Sequence, residues 1–175
     1  MKRASLALLL AALGLGCGYN TGFLVSKNVG SIGVEVFDNT SKVRDLEADV
    51  HDHLTESLRS RTEAHLVPPS LAELVIRGRV LDYSRRSGIR SRDNQLLETG
   101  VQIAVEAELV RRRADPDAQE EVLRRIQVEE ESGFRLQEAN GELDARDRVL
   151  RRLADRIVLE LLSEFTQEAS PPSQN

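Results

Sequence analysis

The chain has 175 residues and a formal net charge of −5 at pH 7, and 30% of its residues are charged. This acidic balance argues against a general nucleic-acid binder, so we expect no nucleic-acid partner. The single cysteine excludes an internal disulfide framework. Because aromatic residues make up 3% of the sequence and Trp is absent, a core has to be built from Leu, Val, Ile and Ala.

The N-terminus has the parts of a secretory signal peptide. Lys2 and Arg3 form a short basic start, and an almost uninterrupted apolar run follows them up to Leu15. This run is too short to cross a bilayer stably, since a spanning helix needs about 20 apolar residues. We therefore predict that residues 1–16 are a lipoprotein signal peptide that is removed.

Cys17 stands directly after the small residue Gly16, where a signal peptidase would cut. Its thiol can carry a diacylglyceryl group, and the amine freed by cleavage can take a further acyl chain such as palmitate. Several chains hold a soluble domain on a membrane because each buried methylene contributes about 0.8 kcal/mol. We predict Cys17 as the lipidation site and no other cofactor. The alternatives are a plain secretory signal with an incidental cysteine, or an N-terminal anchor helix.

Composition divides the rest of the chain into three segments. Residues 17–28 are predicted to be the lipidated anchor and tether, residues 29–166 a single α+β domain, and residues 167–175 a disordered tail. A domain of this size buries roughly two-thirds of the surface that its unfolded chain exposes, which is enough for an ordinary core.

The first half of the domain has the pattern strand, helix, strand. Residues 32–37 alternate apolar with small or polar side chains, which is the period of a strand, and residues 38–41 are typical of a turn. Residues 44–61 are predicted to form a helix, because their apolar side chains recur every four residues. This stripe consists of Leu46, Val50, Leu54 and Leu58. A second strand is expected over residues 74–84, with an imperfect alternation that leaves its buried face open.

The second half begins with a polar, arginine-rich segment over residues 85–94. The clearest strand follows over residues 101–109, with apolar odd-numbered positions. Its even-numbered side chains Gln102, Glu106 and Glu108 should face water or a partner. A fourth strand is expected over residues 121–130, and a last helix over residues 145–165. The apolar stripe of this helix consists of Leu150, Leu153, Ile157, Leu161 and Phe165.

The predicted element order is therefore β-α-β-β-β-α. Two helices with one apolar stripe each, around three hairpin-joined strands, predict an α+β fold arranged as a two-layer sandwich. Both helices would pack on one face of a four-stranded, mainly antiparallel sheet. The first strand reaches the sheet through a helical crossover, so it can pair in parallel with a neighbour.

No combination of residues predicts catalysis. His51 and His53 are two residues apart on a predicted helix, so their side chains point about 200° apart and cannot chelate one metal together. No second cysteine could complete a zinc site, and no Ser stands in a nucleophile-elbow motif. A periplasmic hydrolase would need a pocket with convergent acids or a nucleophile, which the sequence does not offer. We therefore predict a protein that is not an enzyme and holds no metal.

Arginine is concentrated between residues 77 and 92 of this acidic chain. Arginine forks match the geometry of phosphate and carboxylate groups, so a hairpin rich in arginine could contact a phosphorylated lipid or an acidic partner. The alternative, which is the simpler interpretation, is a charged hairpin that keeps a sheet edge soluble. The candidate contact residues are Arg85, Arg86, Arg90 and Arg92.

Four short stretches resemble the LptE family of lipopolysaccharide-assembly lipoproteins. Residues 17–19 are similar to the Cys-Gly-Tyr start of that family, and residues 32–40 are similar to its first strand and the Phe-x-Asn turn after it. Residues 46–47 fall where the first helix of the family begins. Residues 72–78, followed by Tyr83, resemble the strand that the family writes as Ala-Asp, apolar residues, x-Gly and a later Tyr. About half of the mature chain carries this likeness.

The resemblance implies an outer-membrane lipoprotein anchored through Cys17, with its domain facing the periplasm or the lumen of a barrel. It further implies that the domain associates with and plugs the β-barrel translocon LptD, and that it supports lipopolysaccharide transport to the outer leaflet. The expected partners are thus an LptD-like barrel, lipopolysaccharide and the membrane. Under this interpretation the four hairpin arginines are candidate contacts for the anionic glycolipid or for the barrel.

A component of a different envelope machine is the main alternative. Accessory lipoproteins that activate cell-wall synthases, and related components of secretion pores, also begin with a strand, a turn similar to Phe-x-Asn-x-Thr and a helix. The Cys-Gly-Tyr start and the strand that contains Gly78 favour the LptE family. A cell-wall activator would also need a longer reach from its anchor than residues 19–27 provide.

Overall fold

The structure is a computed structural model that describes residues 29–112 and 120–165. Its elements in chain order are β1 Ser31–Val34, β2 Asp38–Asn39, α1 Leu46–Arg61, β3 His65–Leu66, β4 Leu74–Arg90, β5 Leu96–Arg111, β6 Glu121–Arg135 and α2 Gly141–Leu162. The predicted signal peptide over residues 1–16, Cys17 and the rest of the tether up to residue 28 lie outside the described residues. The predicted tail over residues 167–175 also lies outside them, so these assignments stay predictions.

The six strands belong to one mixed sheet with the order β3-β1-β4-β5-β6, and β2 lies beside β4. The prediction of an α+β fold with two helices packed against a sheet is confirmed, but the count of four strands is wrong. β2 and β3 have two residues each, so neither is long enough to show the alternation by which strands are predicted. The observed order is β-β-α-β-β-β-β-α instead of β-α-β-β-β-α.

Short parallel pairs and long antiparallel pairs share this sheet. β1 pairs in parallel with β4, with Ile32 opposite Leu74 and Val34 opposite Ile76. This parallel pairing is the one expected for a first strand that reaches its neighbour through a helical crossover. β3 pairs in parallel with β1, and β2 with β4. The pairs that form most of the sheet, β4 with β5 and β5 with β6, are antiparallel.

The three long strands extend further than predicted, with 17 residues in β4, 16 in β5 and 15 in β6. β4 continues to Arg90, so the expectation that a polar segment between strands begins at residue 85 is wrong. These residues remain in the strand because they still pair with β5, across register shifts between Val80 and Asp82 and between Arg86 and Ile89. Since a shift of one residue moves all later side chains to the other face, these irregularities decide where the arginines point.

The helices cover one face of the sheet. The side chains of β5 that point to this face are fully buried, and they are Val101, Ile103, Val105, Ala107 and Leu109. The predicted stripe of α1 is buried, and so is the stripe of α2 up to Leu161. Phe165 lies beyond the end of α2, in the short 3-10 helix Ser163–Phe165, and is half-buried. None of the helices in residues 29–112 and 120–165 has both the length and the hydrophobicity of a transmembrane helix.

The start of β4 is buried on both faces, which explains its imperfect alternation. Leu74 and Ile76 belong to the core beneath the helices, whereas the intervening Val75 is paired with Gly33. A Cβ built on Gly33 would lie 2.7 Å from the Cα of Pro69, so the short 3-10 helix Pro69–Leu71 covers the second face at this end. A sequence pattern cannot separate the two faces of a strand when both are buried.

Candidate functional site

Arg85 points to the helix side of the sheet and is bound to the start of α2. Its Nε donates to Oε1 of Glu142 at 3.2 Å, and its Nη2 contacts Oε2 of the same carboxylate. Tyr83, two residues earlier, donates its hydroxyl to Oε1 of Glu142 at 3.2 Å. Glu142 lies in the first turn of α2, where the helix dipole favours a carboxylate. Arg85 therefore holds the β4–β5 hairpin against the helix.

The same contacts change the acidity of the Tyr83 hydroxyl. Burial raises the pKa of Tyr83 above its ordinary value of 10.0, and the charge of Glu142 and its hydrogen bond raise it further. The positive charges of Arg146 and Arg85 act in the opposite direction but have a smaller effect on this pKa. The hydroxyl therefore keeps its proton at neutral pH and remains a donor to Glu142.

The sheet face opposite the helices carries side chains of both charge signs, and we call it the open face. A shallow cleft of about 180 Å³ lies on this face beside β2, and its lining includes Glu35, Arg77 and Glu106. The open face is defined by Arg77, Arg79, Arg86, Gln102, Glu106, Glu108, Arg125, Gln127, Glu129 and Glu131.

Arg86 lies on the open face and crosses β5 to reach β6. Its Nη1 donates to Oε1 of Glu131 at 2.8 Å. The guanidinium lies over Gly100 and Gly133, which are paired in the sheet: a Cβ on Gly100 would be 3.1 Å from Nε of Arg86, and one on Gly133 would be 3.3 Å from its Nη2. This Nε is buried without a hydrogen-bond partner among the described residues. The two glycines thus form the flat surface on which the arginine side chain rests.

Arg90 and Arg92 lie at the tip of the β4–β5 hairpin. Nη1 of Arg90 donates to the carbonyl oxygen of Asn94 at 2.9 Å, and Asn94 turns the chain with a φ of 60°. Both arginine side chains are exposed, and neither forms an ion pair with a carboxylate in residues 29–112 or 120–165. The structure therefore divides the four predicted contact residues into two that are neutralised, Arg85 and Arg86, and two that are available at the tip.

Glu108 is the most buried charged residue of the open face. It accepts hydrogen bonds from Nε and Nη2 of Arg77, each at 3.3 Å, and from Nε of Arg125 at 2.5 Å. Because these arginines cover it from both neighbouring strands, Glu108 is only 9% exposed. It does lie on the face predicted to meet water or a partner, but it is covered. The sequence does not reveal this cluster, since the alternation of Glu106 and Glu108 indicates a polar face but not the arginines that the strand register places beside them.

The two histidines singled out by their spacing lie on different sides of α1. His53 places its Nε2 at 3.4 Å from Oδ1 of Asp147 on α2. His51 instead lines a cleft with Pro68 and Pro69. In the described residues, no group of three His, Cys, Asp or Glu is arranged to hold a metal ion.

A sequence model of the family described as LptE, lipopolysaccharide-assembly, matches residues 29–161 of this chain. The match extends from just before β1 into the last turn of α2, and thus includes the hairpin and the open face. The chain therefore belongs to the LptE family of lipopolysaccharide-assembly proteins, as the short motifs indicate. No curated protein sequence matches the chain.

Solved structures share the fold at low sequence identity. A hypothetical protein from Chlamydia trachomatis is 12% identical, with a TM-score of 0.56 over 77% of this chain and 96% of that chain. A protein from Xanthomonas campestris is 9% identical, with a TM-score of 0.52 over 81% of this chain and 91% of its own. The PelC dodecamer from Paraburkholderia phytofirmans is 13% identical, with a TM-score of 0.51 over 79% and 90%. At these identities the likeness shows the fold alone.

Proposed function

We propose that this chain is a lipid-anchored outer-membrane lipoprotein that associates with and plugs an LptD-type β-barrel translocon. In this role it supports the assembly of lipopolysaccharide and its transport to the outer leaflet, without catalysing a reaction. Cys17 carries the acyl chains, and the domain faces the periplasm or the lumen of the barrel. The observation that carries the proposal is the LptE family match over residues 29–161.

The open face supplies a physical reason for a place inside a barrel. The lumen of an outer-membrane barrel is polar, so a plug needs a polar surface with both charge signs toward the barrel wall. On the open face, arginines alternate with carboxylates from the neighbouring strands, and Gln127 and Gln102 add neutral donors and acceptors. Such a face can meet polar side chains of either sign without a large apolar patch.

The hairpin tip is the proposed contact for the phosphorylated glycolipid. Arg90 and Arg92 are exposed, and an arginine fork matches the geometry of a phosphate group. Arg85 and Arg86 support the tip from below, because Glu142 anchors one to α2 and Glu131 anchors the other to β6. The proposal thus narrows the candidate lipid contacts to the two arginines at the tip.

Affinity purification of the lipidated, tagged chain from the outer membranes of its own host tests the partner. We expect a large β-barrel of the lipopolysaccharide-transport type to be recovered in stoichiometric amounts. A Cys17→Ser variant should be lost from the membrane fraction, which tests the anchor separately. Recovery of a cell-wall synthase instead, or of no barrel at all, would overturn the proposal.

A matched pair of variants tests the hairpin tip. Arg90→Gln with Arg92→Gln should weaken binding of purified lipopolysaccharide to the chain several-fold, measured by the concentration needed for half-maximal binding. The control is Arg44→Gln with Arg59→Gln, which removes the same charge from exposed positions beside and on α1. Equal binding by both double variants would show that the tip is not the lipid contact, whatever the barrel experiment finds.

A further inference from the structure

Three arginines of α2 cover the outer edge of the C-terminal half of β6, over residues 129–133. Nη2 of Arg148 donates to the carbonyl oxygen of Gly133 at 3.0 Å, and Nη2 of Arg152 donates to the carbonyl oxygen of Glu131. Nη1 of Arg156 lies 3.5 Å from the carbonyl oxygen of Glu129. We call these three side chains the arginine row.

The spacing of the arginine row matches the spacing of the strand. Four residues of an α-helix advance by about 6 Å, and two residues of a strand advance by about 6.6 to 6.8 Å. Arginines at every fourth position of α2 can therefore each reach the next carbonyl oxygen that points out of the same edge of β6. The three acceptors at positions 129, 131 and 133 show this two-residue interval.

Neighbouring groups hold the arginine row in place. Nε of Arg148 donates to Oγ of Ser132 at 3.1 Å. Nε of Arg156 donates to Oε1 of Glu160 at 2.7 Å, and its Nη1 lies 3.3 Å from Oε1 of Glu130. Nε of Arg152 lies 3.6 Å from Oε2 of Glu130. These contacts with α2 and β6 offset the rotamer entropy that the arginine side chains lose along the strand edge.

β6 needs such cover because it is the last strand of the sheet. It has 15 residues, and β5 is its only partner strand among the described residues. An exposed strand of this length presents a row of unpaired peptide groups that can pair with another chain. At the opposite end of the sheet, β3 has two residues and is soon followed by Pro68 and Pro69, so it offers little edge to a partner.

We propose that the arginine row prevents β6 from pairing with β6 of a second copy of this chain. The charges of β6 make the second copy a suitable occupant. In an antiparallel pair centred on Val128, Arg125 of one copy lies opposite Glu131 of the other, and by symmetry this happens twice. Within each chain Arg125 also contacts Glu108, and Glu131 also accepts from Arg86, so the cross-copy pairs would extend these ion pairs across the two sheets. Without the row, the outward peptide groups of both copies would join their sheets through main-chain hydrogen bonds.

The test is the oligomeric state of the full lipidated chain in detergent, measured by native mass spectrometry over a range of protein concentrations. Wild type should be monomeric. The triple variant Arg148→Gln, Arg152→Gln and Arg156→Gln should form a concentration-dependent dimer, with the dimerisation constant raised about tenfold or more because several main-chain hydrogen bonds are gained. The single variant Arg152→Gln, which removes only the central arginine of the row, should give a smaller shift in the same direction.

Two controls make the result specific to the β6 edge. Arg44→Gln, Arg59→Gln and Arg151→Gln together remove the same charge without touching β6 and should leave the chain monomeric. Adding Glu129→Pro to the triple variant should restore the monomer, because residue 129 points its peptide groups outward and proline there blocks strand addition without breaking the β5 ladder.

Two outcomes would overturn the proposal that the arginine row prevents pairing of β6 between two copies. The first is a triple variant that stays monomeric although circular dichroism shows that it has the helix and strand content of the wild type. If the triple variant does not fold, the same outcome in Arg152→Gln counts instead. The second is a dimer that persists after Glu129→Pro, because such a dimer would use another surface. Neither outcome depends on the barrel partner, so this experiment can contradict the role of the arginine row without contradicting the proposed function.

Discussion

Arg61 at the end of α1 and Asp155 in the middle of α2 form a bidentate ion pair that joins the two helices. Nε of Arg61 lies 2.9 Å from Oδ1 of Asp155, and Nη2 lies 2.6 Å from Oδ2. Ser57 donates a further hydrogen bond to Oδ1 at 2.8 Å. The pair thus fixes the relative position of the two helices on top of the sheet by polar contacts, beside the apolar stripes that both bury.

Asp155→Asn should lower the free energy of unfolding by about 1–2 kcal/mol, because it removes a charge-assisted pair that is roughly one-third exposed. The change would appear as a lower midpoint of urea denaturation with an unchanged slope. The matched control is Asp52→Asn, at an exposed position of α1, which should change the stability by no more than about 0.5 kcal/mol. A midpoint shift of equal size in both variants would contradict a specific role of the pair.

The contribution of this pair should depend on pH. Burial raises the pKa of Asp155, but the hydrogen bonds from Arg61 and Ser57 and the charge of Arg61 outweigh it and hold the pKa below its ordinary value of 3.8. A lowered folded-state pKa contributes stability that is fully present above the unfolded-state value and is lost as the pH falls through the folded-state value. The difference in unfolding free energy between wild type and Asp155→Asn should therefore be constant from pH 7 down to about 5 and shrink below pH 4. A difference that stays constant down to pH 3 would argue against ionic stabilisation.

Leu153 and Leu143 lie on the same helix, but we expect the same substitution to lower the stability strongly at Leu153 and very little at Leu143. Leu153 is 0% exposed in the core, whereas Leu143 is 64% exposed. Leu153→Ala should cost about 2–5 kcal/mol of unfolding free energy, from lost burial and the cavity it leaves. Leu143→Ala should cost less than about 0.5 kcal/mol. Equal losses, measured by chemical denaturation, would mean that α2 does not pack on the sheet through this stripe.

Gly78 occupies a place in β4 where no side chain fits. A Cβ there would lie 2.2 Å from the carbonyl oxygen of Glu106 and 2.5 Å from the ring of Phe37. Gly78→Ala should therefore destabilise the fold by about 1–3 kcal/mol through overpacking. The control Gly30→Ala, whose Cβ would come no closer than 3.4 Å to the side chain of Glu73, should leave the thermal midpoint nearly unchanged. An unchanged midpoint in the Gly78 variant would show that β4 and Phe37 are placed differently.

The two helices could be predicted because their apolar side chains recur with the helical period. Leu46 and Leu54 on α1, and Leu153 and Ile157 on α2, are buried as that period requires. β5 could be predicted for the equivalent reason, since its alternation matches one buried face. β2 and β3 could not, because two-residue strands are defined by their partners in the sheet and not by a pattern of their own.

The functional surface was harder to predict because it depends on register. Arg85 and Arg86 are neighbours in the sequence, yet one is bound to Glu142 on the helix side and the other to Glu131 on the open face. These carboxylates come from elements that lie 57 and 45 residues further along the chain. A concentration of arginine in the sequence therefore indicates a basic surface, but only the pairing of strands shows which arginines remain available.

Site-specific cross-linking from the open face is the sharpest test of the proposed place inside a barrel. A photoreactive amino acid would replace Gln127, an exposed open-face residue, in the lipidated chain within intact outer membranes of its host. The cross-linked partner would then be identified by mass spectrometry. We expect an adduct with a large β-barrel of the lipopolysaccharide-transport type. Adducts with a cell-wall synthase or a secretion pore, and none with such a barrel, would contradict it.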